Sequence, residues 1–264
     1  MMNNAPQRPE ARKGSLSAVA IIPARLGSTR LPRKMLLRET GQYLFEHTVR
    51  NLQTTGVVDK VLLATDSDEI VRAAEGLDID VVMTDAAHTS GTDRVHEAYG
   101  QLTGRCQESF DVILNVQGDE PELSEGDLQR LISEFEHFNV DFATLWVPVE
   151  DPLEALSAST VKVVLDTHGD ALYFSRSPIP NTEHGRGAKA PLKRHVGVYA
   201  FRPDALARFC ALPPGKLERA ESLEQLRWLE AGERLRVVEA KRAPRGIDTR
   251  EDYAAFVARQ AGQG

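Results

Sequence analysis

The chain has 264 residues, enough for one large domain, or one domain with a small subdomain, around a proper core. Its formal charge of -7 argues against a general nucleic-acid binder, which carries a basic face. No apolar run is long enough to span a bilayer, so no membrane partner is expected. The cysteines, Cys106 and Cys210, lie far apart without metal-type spacing and fit a reducing cytoplasm.

Residues 1–17 are polar and mildly basic, with Arg8, Arg12 and Lys13 against Glu10, which predicts a disordered tail rather than a signal peptide. Runs rich in Val, Ile and Leu at 19–23, 61–65, 81–84 and 112–117 predict short buried strands. Helical patterns at 44–54, 68–76, 93–102 and 124–137 lie between them, with Ser67 or Asp68 as an N-cap. This alternation over 18–140 predicts an α/β core whose mostly parallel sheet is covered on both faces, an architecture of nucleotide-binding type. After about residue 140 the rhythm changes. Strand patterns at 142–149, 161–166, 171–177 and 195–201 have few helices between them and predict a smaller antiparallel β subdomain over 141–202. Residues 181–192, with Gly185, Gly187 and Pro191, read as a mobile loop. A helix at 217–230, a strand at 235–239 and a helix at 250–259 carry the segment 203–264 back to the core.

The first strand empties into a loop where Arg25, Arg30, Arg33, Lys34 and Arg38 precede the lone acid Glu39. Gly27, Ser28 and Thr29 let backbone N–H groups approach an anion that these cations neutralise. Polyphosphate is the favoured occupant, because ligands of open α/β sheets bind beyond the ends of buried strands. A solvated basic loop is the alternative.

Asn115-Val-Gln-Gly-Asp-Glu-Pro121 ends the fourth strand at the same edge. Gly118 permits close approach, Pro121 stops the strand, and Asp119 offers a carboxylate suited to a hard cation such as Mg2+. Capping the next turn is the competing role. Asp248, in Gly246-Ile-Asp-Thr249, is the second acid of interest, yet an N-cap explains it equally well, with Thr249 as the other candidate cap. Arg176 suits either a bidentate clamp on a substrate carboxylate or a surface ion pair. His195 alone reads as a satisfied histidine, and Glu224 and Gln225 as solvent-facing groups on a helix. Ser90-Gly-Thr-Asp-Arg94 either contacts a base or ribose or caps a helix.

Taken together, these pieces resemble the CMP-Kdo synthetases, the 3-deoxy-manno-octulosonate cytidylyltransferases, where Kdo is an eight-carbon acidic sugar. The resemblance rests on Pro23-Ala-Arg-Leu-Gly-Ser-Thr-Arg-Leu-Pro-Arg-Lys34, Ala64-Thr-Asp66, Ser90-Gly-Thr-Asp-Arg94 and Asn115-Val-Gln-Gly-Asp-Glu-Pro121. It continues in the same order through Val161-Lys-Val-Val-Leu-Asp166, Ala171-Leu-Tyr-Phe-Ser-Arg176, Arg194-His-Val-Gly-Val-Tyr199, Leu223-Glu-Gln-Leu-Arg227 and Gly246-Ile-Asp-Thr249. It implies a Rossmann-like nucleotidyltransferase fold and the reaction of CTP with Kdo to give CMP-Kdo and pyrophosphate for the inner core of lipopolysaccharide. By position, Arg25, Ser28, Arg30 and Lys34 hold the CTP phosphates, and Asp119 and Asp248 ligate Mg2+; Lys34, Asp119 and Asp248 form the catalytic set. Thr65, Asp66, Ser90 and Arg94 lie near the cytosine and ribose. Gln117, Arg176, His195, Tyr199, Glu224 and Gln225 surround the sugar, with Arg176 near its carboxylate. A cytoplasmic homodimer is implied, with much of its contact, and of the sugar site, in 141–202.

Arg33 and Met35 depart from the pattern, standing where Gly and Pro are frequent, and Arg33 is expected to add charge beside the phosphates. The 181–192 loop lacks the Trp-Asp type sequence often found there. Rival readings are a cytidylyltransferase for an amino-substituted Kdo, a CMP-sialic acid synthetase, and a non-catalytic nucleotide-sugar sensor. The Arg194–Tyr199 and Leu223–Arg227 elements speak against the sialic acid enzymes. The sensor is expected to lack Asp119, Asp248 or Lys34, which are all present.

Overall fold

The computed structural model describes residues 16–28, 30–106, 108–149, 151–181, 192–242 and 244–262. The tail expected over 1–17 therefore lies outside the described residues except for its last two. Leu16 packs on the core, and Ser17 donates to Asp111 Oδ2 from its backbone N–H (3.0 Å) and its hydroxyl (2.9 Å). Residues 182–191 of the expected mobile loop, and the side chain of Cys106, are likewise outside the description.

The strands are β1 (Ala18–Ala24), β2 (Lys60–Thr65), β3 (Val81–Met83), β4 (Val112–Val116), β5 (Phe142–Pro148), β6 (Lys162–Leu165), β7 (Ala171–Ser175), β8 (Lys193–Phe201) and β9 (Arg236–Glu239). The main sheet runs in the order β3-β2-β1-β4-β8-β5-β9. Every neighbouring pair on this path is parallel except those made by β8, which is antiparallel to β4 and β5. The antiparallel strands expected to stand together divide here. β5 and β8 enter the main sheet, and only the antiparallel pair β6–β7 lies off it, attached through β8. The reason is burial: β5 and the C-terminal half of β8 are apolar on both faces and need layers on both sides.

Helices α1 (Leu44–Thr55), α2 (Asp68–Ala74), α3 (Gly91–Cys106) and α4 (Glu125–Ser133) fall where the periodicity places them. The Ser67 hydroxyl accepts from the Ile70 N–H (3.4 Å) and starts α2. Two short helices were not legible, α5 (Pro152–Leu156) and α6 (Pro203–Ala211). Each has Pro at its start, and α6 buries Ala205, Leu206 and Phe209 on one side. The helix expected over 217–230 is two, α7 (Lys216–Glu221) and α8 (Leu226–Glu230), parted where Ser222 takes the left-handed conformation at φ 53. Helix α9 (Arg250–Ala261) ends the fold. Among the described residues no helix is long and apolar enough to cross a membrane.

Two apolar cores cover the two faces of the sheet. On one face Phe142 stacks on Phe201 (centroids 4.0 Å) and meets Phe209 and Trp228 edge-on, which anchors α6 and α8 to β5 and β8.

The strand directions deliver chemistry to one edge. The C-terminal ends of β1 to β4 open there, and so do those of β5 and β9, since β8 between β4 and β5 reverses the sense twice. The N-terminal half of β8 meets the same edge, because Val198 already pairs with Val116 at the end of β4.

In the loop after β1, Arg33 adopts φ 58 and ψ 26, a left-handed conformation that glycine takes without strain. Its guanidinium pairs with Glu69 at the start of α2, so the charge expected beside the phosphates is directed elsewhere. Arg33→Ala loses the ion pair and keeps the strain, whereas Arg33→Gly removes the strain. We expect Arg33→Gly to be the more stable of the two by about 1 kcal/mol in urea denaturation; the opposite order would contradict the backbone argument.

Candidate active site

A cavity of about 340 Å3 opens at this edge. Arg25, Ser28, Arg30 and Lys34 from the β1 loop form one wall, and Gln117, Asp119 and Asp248 face them. Ser90 and Arg94 close the side nearest β3. Most of the residues singled out in the sequence thus converge on one space. Arg25 is exposed and, among the described residues, makes no hydrogen bond or ion pair, so its full charge is available to an anion. The Ser28 hydroxyl accepts from the Leu31 N–H (3.4 Å), fixing the turn.

Lys34 is the meeting point. Its ammonium pairs with Asp119, donates to the Ile247 carbonyl (3.2 Å) and lies 3.3 Å from Asp248 Oδ1. Arg30 pairs with the same Asp248 oxygen at 3.0 Å. The Ile247 N–H donates to the Asp119 carbonyl (3.0 Å), stitching the loop after β4 to the turn before α9. The ambiguity over Asp248 resolves at Thr249, whose hydroxyl caps α9 by accepting from the Asp252 N–H (3.2 Å), leaving the Asp248 carboxylate to the cavity. At Gly118 an added Cβ would lie 2.8 Å from Met35 Sδ, so the close neighbour that glycine admits there is Met35.

Glu120 stands behind these acids with Oε2 buried and unpartnered. Burial first, and then repulsion from Asp119, push its pKa up to about 8. Among the described residues no group of three or more His, Cys, Asp or Glu is arranged to hold a metal. The pair Asp119 and Asp248, gathered by one ammonium, nonetheless fits a small hard cation that takes one or two carboxylates and completes its shell with water and phosphate oxygens.

Toward β3, Arg94 is almost wholly buried, donating to Asp66 Oδ2 (2.7 Å) and to the Thr84 hydroxyl. Asp66 therefore meets the cavity only through its bond to Arg94. The buried Thr65 hydroxyl accepts from the Ser67 N–H (3.2 Å), and neither residue lines the cavity. Ser90 caps α3 in exchange with Asp93, donating to Oδ2 (2.8 Å) and accepting from its N–H (3.1 Å). His88 lines the cavity and went unmarked in the sequence, although a histidine two residues before a small-residue turn was a usable signal.

The residues assigned to the sugar form a polar layer behind Gln117 rather than the wall of the cavity. Gln117 Nε2 donates to Asn115 Oδ1 (3.3 Å), Asn115 Nδ2 to the Thr92 hydroxyl (3.0 Å), and that hydroxyl to Glu224 Oε1 (2.6 Å). Glu224 is thus no solvent-facing helix residue, and burial raises its pKa. The Tyr199 hydroxyl donates to Gln225 Oε1 (3.1 Å), while Gln225 Nε2 is buried without a partner. Burial lifts the Tyr199 phenol well above its ordinary range. His195 lies 2.9 Å from the Thr144 hydroxyl, with Phe174 edge-on at 5.0 Å.

Arg176 is the residue the structure does not bring in. Its guanidinium donates to the carbonyls of Glu221 (2.8 Å), Ala158 (2.9 Å) and Ser222 (3.3 Å), so its donors clamp the α7 turn instead of the cavity.

Burial, with a smaller push from Arg194, lowers the His195 pKa to about 3. The unfolded chain then takes up the proton first as pH falls, so this stabilisation is complete above pH 6.5 and is lost progressively between 6.5 and about 3. Melting temperatures at pH 7 and pH 5 should therefore fall further for the native protein than for His195→Gln. Equal falls would contradict a neutral buried ring.

A cytidylyltransferase family model matches residues 19–235. The 3-deoxy-manno-octulosonate cytidylyltransferase of Anaeromyxobacter sp. (strain Fw109-5) is 47% identical over 232 residues, 88% of this chain and 92% of that one. The enzyme of the same name from Nitratidesulfovibrio vulgaris is 44% identical over 239 residues, 90% and 93% of the two chains. A solved structure of CMP:2-keto-3-deoxy-manno-octonic acid synthetase complexed with CTP superposes with a TM-score of 0.85 at 38% identity, covering 94% of this chain and 100% of that one. A nucleotidyl transferase from Methanothermobacter thermautotroptrophicus, 21% identical over 95% of this chain and 100% of its own, shares the fold at a TM-score of 0.56. The chain belongs to the cytidylyltransferase family and, within it, to the 3-deoxy-manno-octulosonate cytidylyltransferases.

Proposed function

We propose that this chain transfers CMP from CTP to the anomeric hydroxyl of Kdo, giving CMP-Kdo and pyrophosphate. The observation that carries the reading is one cavity with a cluster of cations on one wall and two gathered carboxylates on the other, in a chain of this family. The sugar hydroxyl oxygen attacks the α-phosphorus and gives up its proton to water, the bond from that phosphorus to the bridging oxygen breaks, and pyrophosphate leaves with the electron pair. The protein's part is to align the reactants and to offset charge that develops on the phosphate oxygens. Arg25, Ser28 and Arg30 hold the triphosphate, and Lys34 sets the acids around it. Asp119 and Asp248 would hold Mg2+, which would supply positive charge at the phosphate and lower the pKa of the attacking hydroxyl. Thr65, Asp66, Ser90 and Arg94 support the nucleoside end. Gln117, His195, Tyr199, Glu224 and Gln225 serve the sugar as hydrogen-bonding groups. No protein nucleophile is needed, so no covalent intermediate forms.

The protein works in the cytoplasm as a homodimer. Leu153, Leu156 and Leu172, in and beside the β6–β7 extension, are 74%, 68% and 61% exposed, and this apolar exposure, which a second copy would cover, supports that assembly.

Pyrophosphate release should require CTP and Kdo together and stop on adding EDTA, with an amino-substituted Kdo run alongside. Asp119→Ala should lower kcat by about 10²–10³-fold while the protein stays folded. Release from CTP without a sugar, or undiminished turnover in the variant, would contradict the reading. Sedimentation should give twice the 29.2 kDa chain mass, and Leu153→Asp with Leu172→Asp should halve it; an unchanged mass places the contact elsewhere.

A further inference from the structure

His88 sits in the loop after β3 with Nε2 2.5 Å from Glu97 Oε2. A carboxylate only accepts, so Nε2 carries a proton, and in the neutral tautomer that this bond selects Nδ1 is a lone pair. Glu97 is itself held on every side. Its Oε2 accepts from the Asp85 N–H (2.8 Å), and its Oε1 accepts from Gln101 Nε2 (2.8 Å), which also donates to the Met83 carbonyl (2.9 Å). Asp85 Oδ1 accepts from the Ala87 N–H (2.8 Å) and closes the turn that leads into His88. This is far more anchoring than a surface histidine needs, and the ring it fixes lines the nucleotide cavity.

Position says what such a ring meets. The strand order β3-β2-β1 puts this loop two strands from the phosphate loop, about 10 Å at the usual strand spacing. The base is the end of a nucleotide farthest from its phosphates, so it falls on the β3 side. The polar groups already there are engaged: Ser90 with Asp93, and the terminal nitrogens of Arg94 with Thr84 and Asp66. Nδ1 of His88 makes no hydrogen bond among the described residues.

We propose that His88 selects the base, with Nδ1 accepting a hydrogen bond from the exocyclic amine of cytosine, and that Glu97 is the positioning residue that sets the tautomer. The inference rests on the nucleotide reading of the cavity and deepens it. Uracil carries a carbonyl oxygen where cytosine carries the amine, so UTP would set two acceptors against each other and leave both unpaired.

The test is calorimetric binding of CTP and of UTP, without sugar, to the native protein, His88→Ala and Glu97→Leu. The native protein should bind CTP at least tenfold more tightly than UTP. His88→Ala should shrink that ratio tenfold or more by weakening CTP alone. Glu97→Leu removes the acceptor that holds the proton on Nε2 and leaves the ring free to carry it on Nδ1, so the ratio should shrink here too. Nitrogen-15 NMR should report the tautomer change, a signature that a merely structural Glu97 would not give. A ratio within threefold of native in both folded variants, or equal weakening of CTP and UTP, overturns the proposal. So does a native protein without preference. If His88→Ala does not fold, Glu97→Leu decides alone. Because the readout is binding, failure of pyrophosphate release would overturn the proposed reaction and leave this ratio legible.

Discussion

The arrangement depends on one ammonium group. Asp119 lies in the loop after β4 and Asp248 precedes α9, 129 residues later in the chain, and two carboxylates brought to one point repel unless a cation lies between them. The Lys34 side chain is 13% exposed, so its attraction for both acids is less screened than that of a surface pair, while the Ile247 carbonyl takes another of its hydrogens. Three loops that share little sequence proximity are thereby fixed to each other at the sheet edge. The reversal at β8 is what makes this possible: it restores the direction of β5 and β9 to that of β4, so the chain leaving β9 arrives beside Asp119. Sheet topology and site electrostatics are therefore one problem, solved by a single side chain.

Away from this point the polar groups are tuned by burial rather than by charge pairing. His195 is kept neutral, the Tyr199 phenol keeps its proton, and the Glu224 carboxyl is raised. A layer of buried donors and acceptors suits the many hydroxyls of a sugar, whereas the exposed guanidiniums of Arg25 and Arg30 suit concentrated charge. The two halves of the site thus differ in solvation more than in residue type. Gln117 joins them, lining the cavity while its amide donates into the Asn115–Thr92–Glu224 chain.

Much of this was legible in the sequence, and the misses have physical causes. Strands and long helices announce themselves because burial imposes a period, and the cationic loop and Asp119 stood out because charge after a buried strand has few other uses. Asp248 was undecidable, since Asp and Thr cap helices about equally well and only the geometry at Thr249 separates them. Arg176 looked like a clamp because its type permits one, but its partners are backbone carbonyls, which every residue carries and no sequence pattern marks. Glu224 read as surface because its helix was taken as one. The left-handed Ser222 breaks that helix and turns the Glu224–Gln225 corner inward. The short α5 and α6 hid for the same reason that short helices always do, too few turns to show a period.

The two departures in the phosphate loop have separate accounts, and each keeps the loop's shape. At Arg33 the backbone is left-handed, the conformation for which glycine is the usual residue, and arginine holds it at a cost that its pairing with Glu69 helps offset. Met35 is buried under Gly118, filling the space a side chain there would need. A glycine in the loop after β4 and a methionine in the loop after β1 are therefore one packing unit, in which the lost side chain on one strand end is replaced by the flexible side chain from the other. Lys34 lies between these two positions in the chain. Strain at 33 and close packing at 35 bracket the residue on which the site turns, so the identity of its neighbours matters through backbone direction and not through added charge.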